Sequence, residues 1–304
     1  MLGNRPTLSP KPRGIDGRVD GNGRLAMKYR WPMVSIAAIG LLAGTTGARA
    51  EGTLRVCSDP AYLPYSNQAG QGFENEAARI VADALHDKLE YVWYDTRGKG
   101  GFEQFLAQTL DKGECDVVMS LPYGSREEQT TNPWYVSSYV FIFKKSKGYD
   151  ITSLDSPILH KVKLGFESET PIETGLQLRG MVTTATPFDV ADTPGESPRS
   201  MLQAVEDGKI DVMITWQPSV GAFLKAYPDL KVVMVPNERE MGSPEQYTFP
   251  MAMGVRENDK ALADKLNAAI KAHQDALTRA LEAHGVRYPG SASGSPSPGM
   301  AGTP

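Results

Sequence analysis

The chain has 304 residues, of which 40% are hydrophobic and 22% charged, with a formal net charge of −4. That length allows one large or two ordinary domains, each with a buried core. Four histidines in no paired spacing, and two cysteines outside any CxxC, argue against a zinc site.

Residues 1–26 are rich in Pro, Gly and Arg and carry no apolar period, so they read as an over-extended start. From Met27 the pattern changes. Lys28 and Arg30 make a basic opening, Met33 to Ala43 an apolar run, and Ala48-Arg49-Ala50 a small-x-small cleavage site. A membrane anchor is the competing reading, but Pro32, two glycines and two threonines shorten the apolar core below the roughly 20 residues a span needs. The expectation is a leader over 1–50, with its signal peptide at 27–50, and export to the periplasm. Residues 1–50 hold eight of the 32 Lys and Arg and two of the 36 Asp and Glu, so the remainder has 24 basic and 34 acidic residues and a charge of −10. Such a chain is a poor partner for nucleic acid or anionic lipid, which require clustered Lys and Arg.

Leu54 to Cys57 reads as a β-strand that stops at Ser58-Asp59-Pro60, followed by Tyr62, Tyr65 and the breakers Gly70 and Gly72. A strand that ends in a polar, aromatic loop and returns through a helix begins an open α/β sheet. Ligands there sit beyond the carboxyl ends of the strands. Phe73, Ala77, Ile80, Val81 and Ala84 recur at helical spacing and predict a helix over 73–86. Leu89 to Tyr94 is a strand, Phe102 to Leu110 a helix stopped by Gly113, Asp116 to Ser120 a strand, and Tyr139 to Phe143 another. The alternation predicts a parallel sheet with right-handed crossovers.

A second pass follows the same plan. It has strands at 163–166, 182–186, 211–215 and 230–235, and helices at 171–179 and around Met201 to Val205. The segments LDKGECDVVMS (110–120) and VEDGKIDVMIT (205–215) echo each other, each a helix end, a glycine stop, then an aspartate opening an apolar strand. Two α/β lobes are the expectation, with a single larger sheet as the alternative. Met251 to Val255 and a helix over 259–284 close the chain, Leu262, Leu266, Ile270, His273, Leu277, Leu281 and His284 sharing one stripe. The Ser/Gly/Pro-rich segment 291–304 is expected to be a disordered tail.

Cys57 and Cys115 both sit in predicted strands, LRVC and CDVVMS, expected to be neighbours. An exported chain permits a bridge between them, worth roughly 4 kcal/mol on the chain-entropy model. Two buried free thiols are the alternative.

The layout resembles the periplasmic solute-binding proteins. LRVCSDPAYLPYSN, GFEN, CDVVMSLP and TTNPWYVSSYVFIFK resemble the subfamily associated with quinoprotein dehydrogenases, the J proteins (MxaJ and XoxJ type) of methanol oxidation, across about 54–288. The resemblance implies a two-lobe type II periplasmic binding-protein fold with an interlobe cleft. It places lobe 1 at 51–145 plus 250–290, lobe 2 at 146–249, and hinge strands near 143–148 and 246–252. It also implies the Cys57–Cys115 pair. Cleft residues would be Asp59, Tyr62, Tyr65, Phe73, Glu74, Ser120, Tyr123, Arg126, Thr215 and Trp216.

Amino-acid-binding relatives clamp a ligand carboxylate with an Arg after the first Asp-Val strand, and its amine with an Asp after the second. Here Arg126 falls about two positions early, where counting lands on Glu128, and Trp216 occupies the second place. A bidentate Arg clamp has no substitute in Glu or Lys.

Catalysis finds little support. There is no GxSxG elbow, and GKGG (98–101) lacks the Walker ending. Asp59 and Glu74 could pair across one cleft, but Glu74 is also simply a first-turn residue of its helix. The resemblance therefore implies binding rather than turnover. The partner would be a PQQ-dependent methanol dehydrogenase, which carries the PQQ and a metal while this chain binds no cofactor of its own. Trp134, Tyr135 and Tyr139 are candidate anchors for that partner, with packing beneath the hinge as their alternative role. The competing function is an importer component for a small polar or aromatic solute.

Overall fold

A computed structural model describes residues 52–97, 100–190, 197–237 and 245–287. The expected leader and tail lie outside the described residues. The first half runs β1 (Gly52–Ser58), a short ribbon of β2 (Ala61–Tyr62) and β3 (Ser66–Asn67), α1 (Phe73–Leu85), β4 (Asp87–Trp93), α2 (Gly101–Gln108), β5 (Val117–Pro122) and β6 (Gln129–Lys144). The second runs β7 (Leu164–Glu167), α3 (Pro171–Leu178), β8 (Thr186–Phe188), α4 (Arg199–Glu206), β9 (Val212–Trp216), α5 (Gln217–Gly221) and β10 (Leu230–Met234). The chain closes with β11 (Thr248–Val255) and α6 (Lys260–Ala283).

The strands pair in the order β4-β1-β5-β11-β6-β9-β7-β8, with β10 also on β6. Within each half the first strand has parallel neighbours, β4 and β5 beside β1, and β8 and β9 beside β7. The expected all-parallel sheet does not extend to Tyr139–Phe143. That stretch ends a 16-residue strand running antiparallel to both β9 and β10. The loop 123–128 between β5 and β6 is too short for the dozen or more residues of a parallel crossover.

β6 is the strand common to both lobes. Its residues up to Ser138 pair with β11, while those from Tyr139 onward pair with β9 and β10. The first passage between lobes is therefore at Ser138–Tyr139, earlier than the expected 143–148. The return passes through Tyr247, whose carbonyl accepts from Tyr139 N at 2.9 Å, into β11.

The echo between the two halves is structural. Asp116 Oδ2 accepts from Arg55 N at 3.0 Å, and Asp211 Oδ2 accepts from Lys163 N at 3.1 Å. Their own amides donate to the same residues' carbonyls, 2.8 Å each. Each aspartate thus staples the start of its strand to the first strand of its half.

Each lobe has its own core. Leu54, Val81, Met119, Met253, Leu266 and Ile270 are buried in the first, and Phe141, Leu154, Phe166, Ile172 and Ile214 in the second. Full burial of such side chains contributes about 1.5–3 kcal/mol apiece. On α6, Leu266, Ile270, Leu277 and Leu281 form the buried face, but His273 is exposed and sits at a break in helical geometry. Trp216 and Phe249 pack against both cores. Cys57 and Cys115 form a disulfide with Cα atoms 5.5 Å apart, joining β1 to the approach to β5.

Candidate functional site

The carboxyl ends of β1, β5 and β9 converge on an interlobe cavity of about 1160 Å³. Its first-lobe wall is built by the loop after β1. Asp59 Oδ1 accepts from Ala61 N, and Oδ2 accepts from both the amide and the hydroxyl of Thr96, 2.7 Å each. Ser66 Oγ donates to Asp59 O at 2.8 Å. These bonds fix the β2–β3 ribbon, and with it Tyr62 and Tyr65, whose rings stack 5.0 Å apart. The guanidinium of Arg97 lies 5.6 Å from the Tyr62 ring centroid.

Gly72 joins this loop to α1. A Cβ there would meet Tyr65 O at 1.9 Å, so no other residue fits without moving the loop. Asn75 Oδ1 accepts from Gly72 N and Asn67 N, both at 3.0 Å, and Glu74 N donates to Tyr65 O at 3.0 Å. The result places the half-buried Glu74 side chain at the cavity wall, beside Ser120 and Tyr135. Burial pushes its carboxyl up to about 7, reinforced by the charge of Asp59 and opposed by a hydrogen bond with Ser120. Tyr135 Oη donates to Ser120 Oγ at 3.2 Å.

The second-lobe wall contains Ser168, Thr170 and Trp216. Behind it Glu167 Oε2 accepts from Thr215 Oγ1 at 2.7 Å and Trp216 N at 3.2 Å. Burial raises the Glu167 carboxyl above its ordinary value, with these two donors opposing. Between the lobes, Tyr65 Oη and Ser219 Oγ are 2.8 Å apart.

Of the residues expected at the cleft, Asp59, Tyr62, Tyr65, Glu74, Ser120 and Trp216 line the cavity. The other four do not. Phe73 is fully buried beneath Tyr65, ring centroids 5.2 Å apart, because it opens the apolar face of α1. Thr215 is fully buried and spent on Glu167. Tyr123 and Arg126 are exposed on the loop 123–128, away from the cavity. In that loop Glu128 is buried and hydrogen-bonded by Ser125 Oγ.

The expected anchor surface is corrected outright. Trp134 is 1% exposed, with Nε1 donating to Met119 O at 2.8 Å. Tyr135 belongs to the cavity wall, and Tyr139 packs 5.1 Å from Trp216 at the strand crossing. With Trp134 and Tyr139 taken up by packing and Tyr135 turned to the cavity, the three do not form an exposed docking surface.

Sequence reading missed Glu167 and Tyr135. The tripeptide Gly-Phe-Glu occurs three times, at 72–74, 101–103 and 165–167; Glu74 and Glu103 line the cavity, and Glu167 stands behind its second-lobe wall. That repetition was the available signal. Among the described residues no group of three or more His, Cys, Asp or Glu could hold a metal ion, and no helix is long and apolar enough to cross a membrane.

Residues 54–281 match the model of bacterial extracellular solute-binding proteins, family 3. The chain belongs to this family. As a family 3 solute-binding protein it is 30% identical over 250 residues to the protein MoxJ of Methylorubrum extorquens, covering 77% of this chain and 81% of that one. The crystal structure of MxaJ from Methlophaga aminisulfidivorans superposes with a TM-score of 0.66 at 26% identity, over 77% of this chain and 98% of the other. That of the periplasmic binding protein XoxJ from Methylobacterium extorquens AM1 gives 0.62 at 28% identity, over 79% and 100%. The two-lobe fold of the solute-binding family thus carries a MoxJ, MxaJ and XoxJ-like sequence.

Proposed function

We propose that the protein is a periplasmic accessory factor for a PQQ-dependent methanol or alcohol dehydrogenase, acting by binding in its maturation, cofactor loading or activation. The observation that carries this reading is the likeness to MoxJ, MxaJ and XoxJ over more than three quarters of the chain. The cleft supports it by what it lacks. Among the described residues lining the cavity none is Lys, Arg or His, and the exposed Arg126 is not among them, so the guanidinium clamp of an amino-acid carrier has no counterpart there. The dehydrogenase supplies the redox cofactor and its metal; this chain supplies a docking body.

Trp134 and Tyr139 are buried in packing and Tyr135 lies in the cavity wall, so the partner engages other surface residues. The tagged protein is used to capture partners from the periplasm of methanol-grown cells, and the captured proteins are identified by mass spectrometry. Recovery of a quinoprotein dehydrogenase, competed away by untagged protein, is the expected result. Recovery of an importer permease instead, with stabilisation by a small solute, would replace this reading with the importer one. That second reading is favoured by the retained interlobe cavity.

A further inference from the structure

The cavity has a definite chemical character. Its walls carry the aromatic rings of Tyr62, Tyr65, Tyr135 and Trp216, and Glu74 reaches it with a half-buried carboxyl group. None of the described lining residues is basic. Arg97 stands behind the wall, stacked on Tyr62, with its Nη2 4.0 Å from Asp59 and its Nε 3.4 Å from Asp95. Glu103 on α2 lines the cavity as well, and so do Glu169 and Asp189, which have partners of their own.

We propose that the cavity takes an organic ammonium ion that lacks a carboxylate, its charged end at Glu74 and its body against Tyr62, Tyr65, Tyr135 and Trp216. A cation over an aromatic face is attracted by the ring quadrupole, more strongly where water is excluded. The Arg97–Tyr62 pair shows that this wall already accepts such a contact on its far side. An amino acid would bring a carboxylate next to Glu74 with no described cation to meet it, and an unpaired buried charge is strongly disfavoured. The inference concerns the cavity alone and goes beyond the dehydrogenase reading without depending on it.

The geometry has a titration consequence. Binding of a cation favours the ionised form of Glu74, whose carboxyl is pushed up to about 7 by burial. The groups around it are Asp59 on the loop after β1, Tyr91 on β4, Tyr135 on β6, Tyr65, and Glu103 of α2 on the same cavity wall. Glu167, Glu169 and Asp189 stand on the opposite lobe. The three tyrosines are all raised from their ordinary value and stay protonated between pH 6 and 8. Affinity for the ammonium ion should rise about tenfold from pH 6 to pH 8, following the ionised fraction of Glu74.

The test is calorimetric titration of the purified protein with two pairs that differ by a carboxylate, phenethylamine against phenylalanine and cadaverine against lysine. The expected result is that at least one amine binds about tenfold or more tighter than its amino acid at pH 8. That affinity falls about tenfold by pH 6 in the wild type and is weak and flat with pH in Glu74→Gln. Trp216→Leu should weaken binding while keeping the pH slope, and serves if Glu74→Gln loses its fold by thermal melting. Failure of both amines to bind, equal or tighter binding of the amino acids, or a wild-type affinity indifferent to pH would each overturn the inference. Recovery of a dehydrogenase in the capture experiment alongside such a failure would leave the proposed function standing.

Discussion

Tyr65 Oη and Ser219 Oγ lie 2.8 Å apart, a hydrogen bond between the two lobes. Tyr65 belongs to the loop after β1, and Ser219 to α5, which follows β9. A second tie runs alongside it, Gln217 Nε2 donating to Gly285 O at 2.8 Å just past α6. Together they hold the lobes at the aperture observed here.

Tyr65→Phe removes the first tie while keeping the ring. A neutral hydrogen bond contributes about 0.5–1.5 kcal/mol net, so global stability should change by no more than that. The aperture should loosen instead. Small-angle scattering, or distance measurements between spin labels on the two lobes, should show a broader interlobe distribution in the variant than in the wild type. An unchanged distribution would mean that the strand crossing alone sets the aperture.

The Glu74 carboxyl makes stability depend on pH in a predictable direction. It titrates at about 7 when folded against an ordinary 4.5. Between those values the native state holds a proton that the unfolded chain has released, so this group's contribution declines as pH rises from about 4.5 to 7. Glu74→Gln cannot ionise and escapes the loss. Chemical denaturation should find the variant more stable than the wild type at pH 8 by about 1–3 kcal/mol, allowing for partial solvent access, and nearly equal at pH 4.5.

The Cys57–Cys115 bridge closes a separation of 58 residues. Replacing both cysteines by serine should cost roughly 4 kcal/mol on the chain-entropy model, seen as a lower melting temperature. The same drop should follow reduction of the wild type with dithiothreitol and be absent when the double variant is reduced.

Trp134→Ala distinguishes a packing role from a docking role. The ring packs 6.4 Å from Phe73 and 4.6 Å from Tyr135, and the Trp134 carbonyl accepts from Gln274 at 3.0 Å. Truncation should cost about 3–5 kcal/mol. Partner capture should then fall only in proportion to the unfolded fraction. Wild-type stability with lost capture would restore a surface role that the burial of this residue contradicts.

Much of this architecture could be read from the chain because its elements obey local rules. α1 matches the apolar spacing from Phe73 to Leu85, and Asp116 and Asp211 sit at equivalent positions of equivalent strands. β6 was legible only at its apolar end. Its first ten residues, QTTNPWYVSS, mix Pro and polar groups and carry no period-2 signal, yet Ser137 and Ser138 are fully buried. Such serines are placed by tertiary contacts, which no local pattern encodes. The aromatic loop after β1 announced itself by an abrupt strand end. Glu167 did not, because what makes it notable is the burial conferred by Thr215 and Trp216, almost 50 positions away.

The insertion of β11 between β5 and β6 has a consequence for biosynthesis. The strands of the second lobe are contiguous between Tyr139 and Met234, so that lobe has all of its sheet once the chain has emerged that far. The first lobe begins earlier and finishes last, since its inserted strand β11 and covering helix α6 are the last of the described elements to be made. A molecule truncated before Thr248 would keep one complete sheet and expose the open edges of β5 and β6. Unpaired edges of that kind recruit other chains. Premature termination is therefore expected to produce aggregates rather than a smaller folded protein.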